Sequence, residues 1–263
     1  MSEPLTISID GHIAQVMLSR PDKANAINLD MFDALGDAGN RLAFDRSLRA
    51  VVLHGAGANF CAGLDVDMFR QGLQILDAHS MAPVEPSPAN RFQRAAYAWR
   101  ELPIPVICAI TGVAFGAGLQ IALGADLRYA RADARLSIME IKWGLIPDMA
   151  ISTTLRDILP VDRVKELAWS GRAVGGEEAL QLGLVTALHD DPFAAAMQTA
   201  AEICERSPDA IRSMKRLFNS AWKMSEADAL ALEAELQMGV IGRHNQLEAV
   251  MANMEKRAPE FQD

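Results

Sequence analysis

Two carboxylates stand eight residues apart in an apolar part of the chain, and such a pair can carry out acid–base chemistry. Glu140 and Asp148 have isoleucine, leucine, tryptophan and methionine residues around them in segment 139–149. Apolar surroundings disfavour the charged form of a carboxyl group, and two groups held at different pKa values can divide the roles of acid and base. Both residues also have structural interpretations, as a helix N-cap for Asp148 and as a solvated strand end for Glu140.

Two turns rich in small residues could hold a developing negative charge. Segment 59–65 reads Asn-Phe-Cys-Ala-Gly-Leu-Asp, and segment 112–120 places Gly116, Ala117 and Gly118 where a helix begins. Small residues let a ligand approach the backbone, and the unpaired N–H groups of a helix start attract an oxyanion. Dinucleotide binding is disfavoured because the glycines run G-x-x-x-G-x-G rather than G-x-G-x-x-G. Close packing of a helix on a strand explains the same small residues equally well.

The hydrophobic pattern predicts an α/β fold that would position these segments. Apolar runs at 5–9 and 13–18 flank Asp10–Gly11 and predict a β-hairpin, and Asn28 is a predicted N-cap. Further strands are predicted at 51–53, 105–110, 127–130 and 136–138, with a helix from Gly116 through Leu123.

Helices dominate the predicted structure after Pro147. Asp191–Pro192 and Ser207–Pro208 are pairs of an N-cap and a proline at the first helical position, and Ser225 could cap a long alanine- and leucine-rich helix. We therefore predict a core domain over residues 1–190 and a C-terminal helical region over residues 191–263.

Composition argues against several classes of protein. The 263 residues are 50% hydrophobic and carry a net charge of −9, which predicts a sizeable core and disfavours general nucleic-acid binding. The three cysteines are scattered, and neither they nor the five histidines show metal-ligand spacing. The uncharged run 102–125 is interrupted by prolines and glycines, so we do not predict a membrane span. We expect a cytoplasmic protein without a metal, a nucleic-acid partner or a membrane anchor.

Five segments in order along the chain form one longer pattern. They read Arg-Pro-Asp-Lys-Ala-Asn-Ala at 20–26, Phe-Cys-Ala-Gly-Leu-Asp at 60–65, Gly-Ala-Gly at 116–118, E-x-x-x-G-x-x-P at 140–147 and a helix–turn pattern at 171–185. This pattern resembles the enoyl-CoA hydratase/isomerase family, also called the crotonase family, over nearly the whole chain. The resemblance implies a crotonase-like ββα spiral core with a C-terminal helical trimerisation region.

Chemistry on acyl-CoA thioesters follows from this resemblance. The backbone amides of Leu64 and Ala117 would hold the thioester oxygen and stabilise an enolate, while Arg20 and Lys23 would form a basic site beside the adenine. Coenzyme A is part of the substrate, so no separate cofactor is expected, and the assembly would be a homotrimer or a dimer of trimers. The residues implied to contact the substrate or CoA are Lys23, Ala24, Ala26, Ala62, Gly63, Leu64, Asp65, Val66 and Ala117.

Three residues decide which reaction the resemblance implies. Glu140 matches the second of the two glutamates of the family's hydratases, whereas Gln120 stands where the first would be. Gln120 is a candidate catalytic residue that could orient a water or a substrate group but could not exchange a proton at neutral pH. Asp148 matches the additional aspartate of dienoyl-CoA isomerases, although those enzymes also have an acidic residue at the position of Gln120. We therefore predict an enoyl-CoA isomerase ahead of a hydratase, with a proton moved by Glu140 and Asp148. The alternatives are displacement or hydrolysis with Asp148 as the nucleophile, and a non-catalytic CoA-binding module.

The acyl group would contact the least family-like part of the chain, segment 69–100. Met68, Phe69 and Met81 are candidates for an acyl pocket, and the proline-rich run 79–90 is a candidate lid.

Overall fold

The structure is a computed structural model that describes residues 3–71 and 80–263. The strands are Leu5–Asp10 (β1), Ile13–Leu18 (β2), Ala50–Gly55 (β3), Val106–Ile110 (β4), Val113–Phe115 (β5), Leu127–Ala130 (β6), Arg135–Ser137 (β7), Val174–Gly175 (β8) and Ala187–Leu188 (β9). The main sheet has six strands in the order β1-β2-β3-β4-β6-β9, and a smaller sheet has the order β5-β7-β8. In the main sheet β1 and β2 are antiparallel and all later neighbours are parallel.

Helices connect these strands and pack on the main sheet. The α-helices are Leu29–Ala43 (α1), Val66–Gln71 (α2), Arg91–Glu101 (α3), Ala117–Leu123 (α4), Ile151–Thr154 (α5), Val161–Ser170 (α6), Gly176–Leu182 (α7), Pro192–Cys204 (α8), Pro208–Ser220 (α9), Glu226–Val240 (α10) and His244–Glu255 (α11). Short 3-10 helices span Pro21–Lys23, Glu140–Trp143 and Ala221–Lys223. The predicted α/β class is confirmed.

The predicted hairpin and strands are present, with ends that differ by only one or two residues from the prediction. Asp10 pairs with Ile13 across a turn in which Gly11 has a φ of 56°, a conformation that glycine adopts without steric strain. Alternate residues of the parallel strands enter two separate apolar clusters: Val51 and Leu53 face one, and Ala50 and Val52 face the other. This period of two follows from strand geometry and explains why both faces are buried.

The predicted N-caps are also confirmed. The side chains of Asn28 and Asp191 accept hydrogen bonds from Met31 N and Ala194 N, both at 3.0 Å. Ser207 and Ser225 cap α9 and α10 in the same way, through Ala210 N and Asp228 N. Each cap satisfies one of the N–H groups that a helix start leaves without an intrahelical partner.

The two small-residue turns lie side by side because strand-like hydrogen bonds join them. Cys61 N donates to Val113 O at 2.9 Å, and Phe115 N donates to Cys61 O at 3.0 Å. Gly118 at the start of α4 is required by this contact, since a Cβ there would lie 2.5 Å from Cys61 O. The fold thus aligns two backbone segments that are more than fifty residues apart in the sequence.

The chain from Pro192 onward is helical, but its first helix is part of the core packing. α8 lies against β3, β4 and β6, and Ala196 and Ala200 belong to the same apolar cluster as Val52. The division of the chain at residue 191 remains a prediction. Further along, Arg49 holds the C-terminal residue Asp263 through Nε and Nη2, at 3.0 and 2.8 Å.

A buried lysine fastens α9 to the core. Lys215 Nζ donates to Trp99 O, Ile104 O and Asp126 Oδ2 at 3.1, 2.8 and 2.7 Å. Burial lowers the pKa of Lys215, while the neighbouring carboxylate of Asp126 opposes that shift. All three ammonium donors are therefore used within the protein.

Lys215→Ala is expected to lower the free energy of unfolding by roughly 3 kcal/mol, because it removes the buried cation that pairs with Asp126 and donates to two carbonyls. Urea unfolding at fixed protein concentration measures this change. Lys223→Ala is the control, since the ion pair of Lys223 with Asp157 is 3.8 Å long and partly exposed, and surface pairs contribute little. Equal effects of the two substitutions would contradict the assignment.

Candidate active site

A cavity of about 700 Å³ opens between the two small-residue turns and the 3-10 helix Glu140–Trp143. This volume lies in the range of small-molecule sites, and most of the wall is apolar. The predicted site residues that line it are Lys23, Ala26, Ala62, Gly63, Leu64, Asp65, Val66, Ala117, Gln120, Glu140 and Asp148.

Two backbone amides border this cavity from facing segments. Ile27 N donates to Gly63 O, and Asp65 N donates to Ile27 O. Because successive residues of a strand point in opposite directions, the N–H of Leu64 points away from Ile27. Ala117 is the first residue of α4, ahead of the bond from Gln120 N to Gly116 O. Within residues 3–71 and 80–263, neither Leu64 N nor Ala117 N meets an acceptor.

The two turns approach each other closely at Gly63. This residue has a φ of 96°, and a Cβ there would lie 2.8 Å from Phe115 O and 3.9 Å from Ala117 N. Only glycine combines this backbone conformation with so close a contact. The backbone of 63–64 and the start of α4 therefore border one space.

Glu140 is a buried carboxyl group at the start of its 3-10 helix. Its Oε1 accepts a hydrogen bond from Gln120 Nε2 at 2.6 Å, whereas Oε2 is buried and has no partner among the described residues. Burial raises the pKa of Glu140, and the nearby Asp148 carboxylate raises it further against the hydrogen bonds that lower it. The interpretation of Glu140 as a solvated strand end is wrong.

Gln120 is buried and both ends of its amide are engaged. Its Nε2 donates to Glu140, and its Oε1 accepts a hydrogen bond from Met149 N at 2.8 Å. A backbone N–H can only donate, which fixes the orientation of the amide. Gln120 thus lines the cavity while its polar atoms hold other parts of the site.

Asp148 lines the cavity and is exposed to solvent. Partial burial of its carboxyl group raises its pKa. The alternative interpretation as an N-cap is wrong, because Ala150 precedes α5 and no side chain caps that helix. Both predicted carboxyl groups therefore face one cavity with elevated pKa values.

The segment expected to bind CoA is organised by Arg20. Its Nη2 donates to Asp65 Oδ2 at 2.8 Å, and its Nη1 donates to Ala26 O. Burial alone would raise the pKa of Asp65, but the hydrogen bonds from Arg20 and Asp67 N, with the neighbouring positive charges, leave it lowered. Arg20 and Asp65 therefore form an ion pair with each other. Lys23 is more exposed, and its Nζ lies 3.7 Å from Asp67 Oδ2.

Ala24 lies next to the residues that line the cavity but is not one of them, and its contact with CoA stays a prediction. Its carbonyl accepts a hydrogen bond from Ala62 N at 2.9 Å, and its φ of 48° turns the chain after the 3-10 helix Pro21–Lys23. Ala24 shapes the neighbouring loop instead of lining the cavity.

Of the three residues predicted to line an acyl pocket, Met68, Phe69 and Met81, the structure describes the side chains of two, and one of these lines the cavity. Met68 lines the cavity, while Met81 is exposed and is not among the lining residues. The side chain of Phe69 and residue His79 of the candidate lid lie outside the described residues. The lid itself remains a prediction.

Aromatic residues of the wall were missed from the sequence. Phe32 and Phe92 meet edge to face with ring centroids 5.1 Å apart, and Phe115 and Trp143 contribute further apolar surface. They come from four separate elements, and Phe32 gave only a helix-face signal. No spacing rule connects such residues before the fold is known.

The described part of the chain has neither a cluster of metal-binding side chains nor a helix that could span a membrane. Residues 3–71 and 80–263 contain no cluster of three or more His, Cys, Asp or Glu side chains that could hold a metal. No helix in those ranges is long and apolar enough to cross a membrane.

Glu140→Gln is expected to make the protein more stable than the wild type at about pH 7. The folded pKa of Glu140 is raised above its ordinary 4.5, so its stabilising contribution is complete below that value and is lost as pH rises through the folded pKa. Glutamine has no such loss, and the difference in the free energy of unfolding between Glu140→Gln and the wild type should shrink toward about pH 4. Urea unfolding at both pH values measures it, with the exposed Glu177→Gln as control. A pH-independent difference would refute this explanation.

Comparisons with known proteins place this chain in a family. A sequence model described as enoyl-CoA hydratase/isomerase matches residues 8–263. A probable enoyl-CoA hydratase of Bacillus subtilis is 30% identical over 260 residues, which cover 98% of both chains. The mitochondrial Delta(3,5)-Delta(2,4)-dienoyl-CoA isomerase of Mus musculus is 32% identical, covering 95% of this chain and 79% of that protein. The crystal structure of an enoyl-CoA hydratase from Bacillus anthracis superposes with a TM-score of 0.88 at 27% identity, covering 98% of both chains.

The fold and the site define an enzyme of the crotonase superfamily, and the predicted crotonase-like fold is confirmed. The chain belongs to the enoyl-CoA hydratase/isomerase family, whose members act on acyl-CoA thioesters.

Proposed function

We propose that the protein is an enoyl-CoA isomerase of the dienoyl-CoA isomerase-like type. The observation that carries this proposal is the presence of two carboxyl groups with raised pKa values, Glu140 and Asp148, in one cavity bordered by the amides of Leu64 and Ala117, which meet no acceptor among the described residues. Carboxyl groups tuned in this way can exchange protons with carbon near neutral pH.

The reaction needs only proton transfers. The thioester oxygen accepts hydrogen bonds from Leu64 N–H and Ala117 N–H, which stabilise the negative charge that develops there. One carboxylate removes a proton from a carbon beside the conjugated system, and the electron pair moves toward the thioester oxygen to give an extended enolate. The other carboxylic acid donates a proton to a different carbon. Substrate and product are isomers, so no water, cofactor or oxidant is consumed.

Gln120 is the residue that favours isomerisation over hydration. Hydration by two glutamates needs a second carboxyl group at this position, and a carboxamide does not exchange protons at neutral pH. Its oxygen and nitrogen are also engaged by Met149 and Glu140.

The remaining parts of the proposal concern the surroundings of the site. The acyl-CoA binds with its nucleotide end toward Lys23, with no separate cofactor. A homotrimer or a dimer of trimers is supported by exposed apolar surface on the C-terminal helices, including Phe218 and Trp222, whose rings stack 6.3 Å apart. Three free cysteines fit a cytoplasmic location.

Mass spectrometry of saturated and unsaturated acyl-CoAs incubated with the enzyme in D₂O tests the function. Deuterium uptake with a shifted double bond, lost in Glu140→Gln and Asp148→Asn, supports the isomerase. Addition of water would make the protein a hydratase, and release of free CoA would indicate hydrolysis with Asp148 as nucleophile. Acyl-CoA binding without any exchange would indicate a non-catalytic binding module.

A further inference from the structure

Gln120 connects the two carboxyl-bearing segments of the site through a single side chain. It is 1% exposed on α4, with Glu140 Oε1 at 2.6 Å from its nitrogen and Met149 N at 2.8 Å from its oxygen. Met149 directly follows Asp148 in the chain. One amide group therefore contacts one carboxyl group and the backbone beside the other.

This contact makes the two oxygens of Glu140 different. Met149 N–H fixes the amide so that Gln120 presents a donor to Oε1, and an oxygen that accepts this bond is a poor site for a proton. Oε1 also faces Gly116, where a side chain would crowd it, since a Cβ there would lie only 3.2 Å away. Oε2 has no protein partner among the described residues and is left to bind the proton.

We propose that Gln120 is a positioning residue that makes Oε2 the only proton-exchanging oxygen of Glu140 and at the same time fixes the backbone that carries Asp148. This inference rests on the proposed function for its catalytic meaning, because it specifies how the shuttle is aligned. It also explains why this position carries a side chain that both donates and accepts. Leucine would do neither, and a carboxylate could accept from Met149 N but could not donate to Glu140.

Gln120→Leu is expected to lower kcat for isomerisation roughly 100-fold, the cost of a reacting group displaced by about 1 Å, with little change in KM. Ile121→Val is the matched control on the same helix, since Ile121 is fully buried in the core; it should keep kcat within about twofold because it alters only packing. Gln120→Glu keeps the shape but adds an acid, and a like charge should move the pH profile of kcat upward.

The carboxyl group itself can be followed without turnover. Carbon-13 NMR of protein labelled at the glutamate carboxyl carbon, with the Glu140 signal assigned by Glu140→Gln, gives its titration directly. Loss of the Gln120 donor should raise the pKa of Glu140 in Gln120→Leu and leave it unchanged in Ile121→Val. If Gln120→Leu does not fold, the same titration in Gln120→Glu decides, and an upward shift is expected there too.

The outcomes separate this inference from the proposed function. A wild-type enzyme that moves no double bond refutes the isomerase, and the NMR titration still tests the role of Gln120. An active wild type whose Gln120→Leu variant retains kcat, pH profile and Glu140 pKa, while Glu140→Gln is inactive, refutes the positioning role alone. Equal losses in Gln120→Leu and Ile121→Val would also refute it.

Discussion

Glu140→Gln is expected to lower kcat for isomerisation by roughly 10²–10⁴-fold, the usual contribution of a positioned acid or base. Glutamine has the same shape, and its side-chain oxygen can still accept the hydrogen bond from Gln120. It cannot bind or release a proton at neutral pH, so proton transfer to and from the substrate carbons loses one of its two carboxyl groups. KM should change little, because the residues proposed to hold CoA lie on other segments.

Steady-state kinetics on the preferred acyl-CoA and deuterium uptake in D₂O measure this effect together. Glu177→Gln removes an exposed carboxylate outside the cavity and is the control for the change of charge. Asp148→Asn should reduce turnover as well. Because the Glu140 and Asp148 carboxyl groups interact, the apparent pKa values in the pH profile of kcat describe the pair and not either residue alone. Full turnover by Glu140→Gln would eliminate the proton shuttle.

The backbone of the site was predictable from local sequence. Small residues at 60–65 and 116–118 indicated turns that a ligand can approach, and the start of α4 was predicted to within one residue. Such signals are local, since conformation at Gly116 and the first turn of a helix depend on a few neighbouring residues. The pairing of the two turns depended instead on the parallel bridge between Cys61 and Ala114.

The uses of polar side chains were not predictable in the same way. Arg20 was expected beside a ligand, but its guanidinium group bonds to Asp65, 45 residues away. Gln120 was recognised as a departure from the family pattern, yet its partners stand 20 and 29 residues further along the chain. Hydrogen bonds between distant residues leave no period or spacing in a sequence, so these roles required the three-dimensional structure.

The amide of Ala117 can be removed by a substitution that the helix should tolerate. Ala117 is the first residue of α4, where proline is favoured because its N–H has no intrahelical partner. The preceding Gly116 has φ and ψ of 50° and −117°, an extended mirror-image conformation compatible with a following proline. Ala117→Pro should therefore fold while it lacks one of the two proposed oxyanion donors.

The expected result is a fall of roughly 10²–10³-fold in kcat/KM, the cost of losing one such donor in other enzymes. Because the proline ring also occupies space next to the thioester oxygen, part of the loss can appear in KM. Ala117→Gly retains the N–H and the space around it, so it is the matched control and should remain close to wild type. Thermal unfolding of both variants separates lost folding from lost chemistry. A fully active, folded Ala117→Pro would show that the enolate oxygen does not bind at Ala117, and the site of negative charge would then have to be sought elsewhere along the cavity.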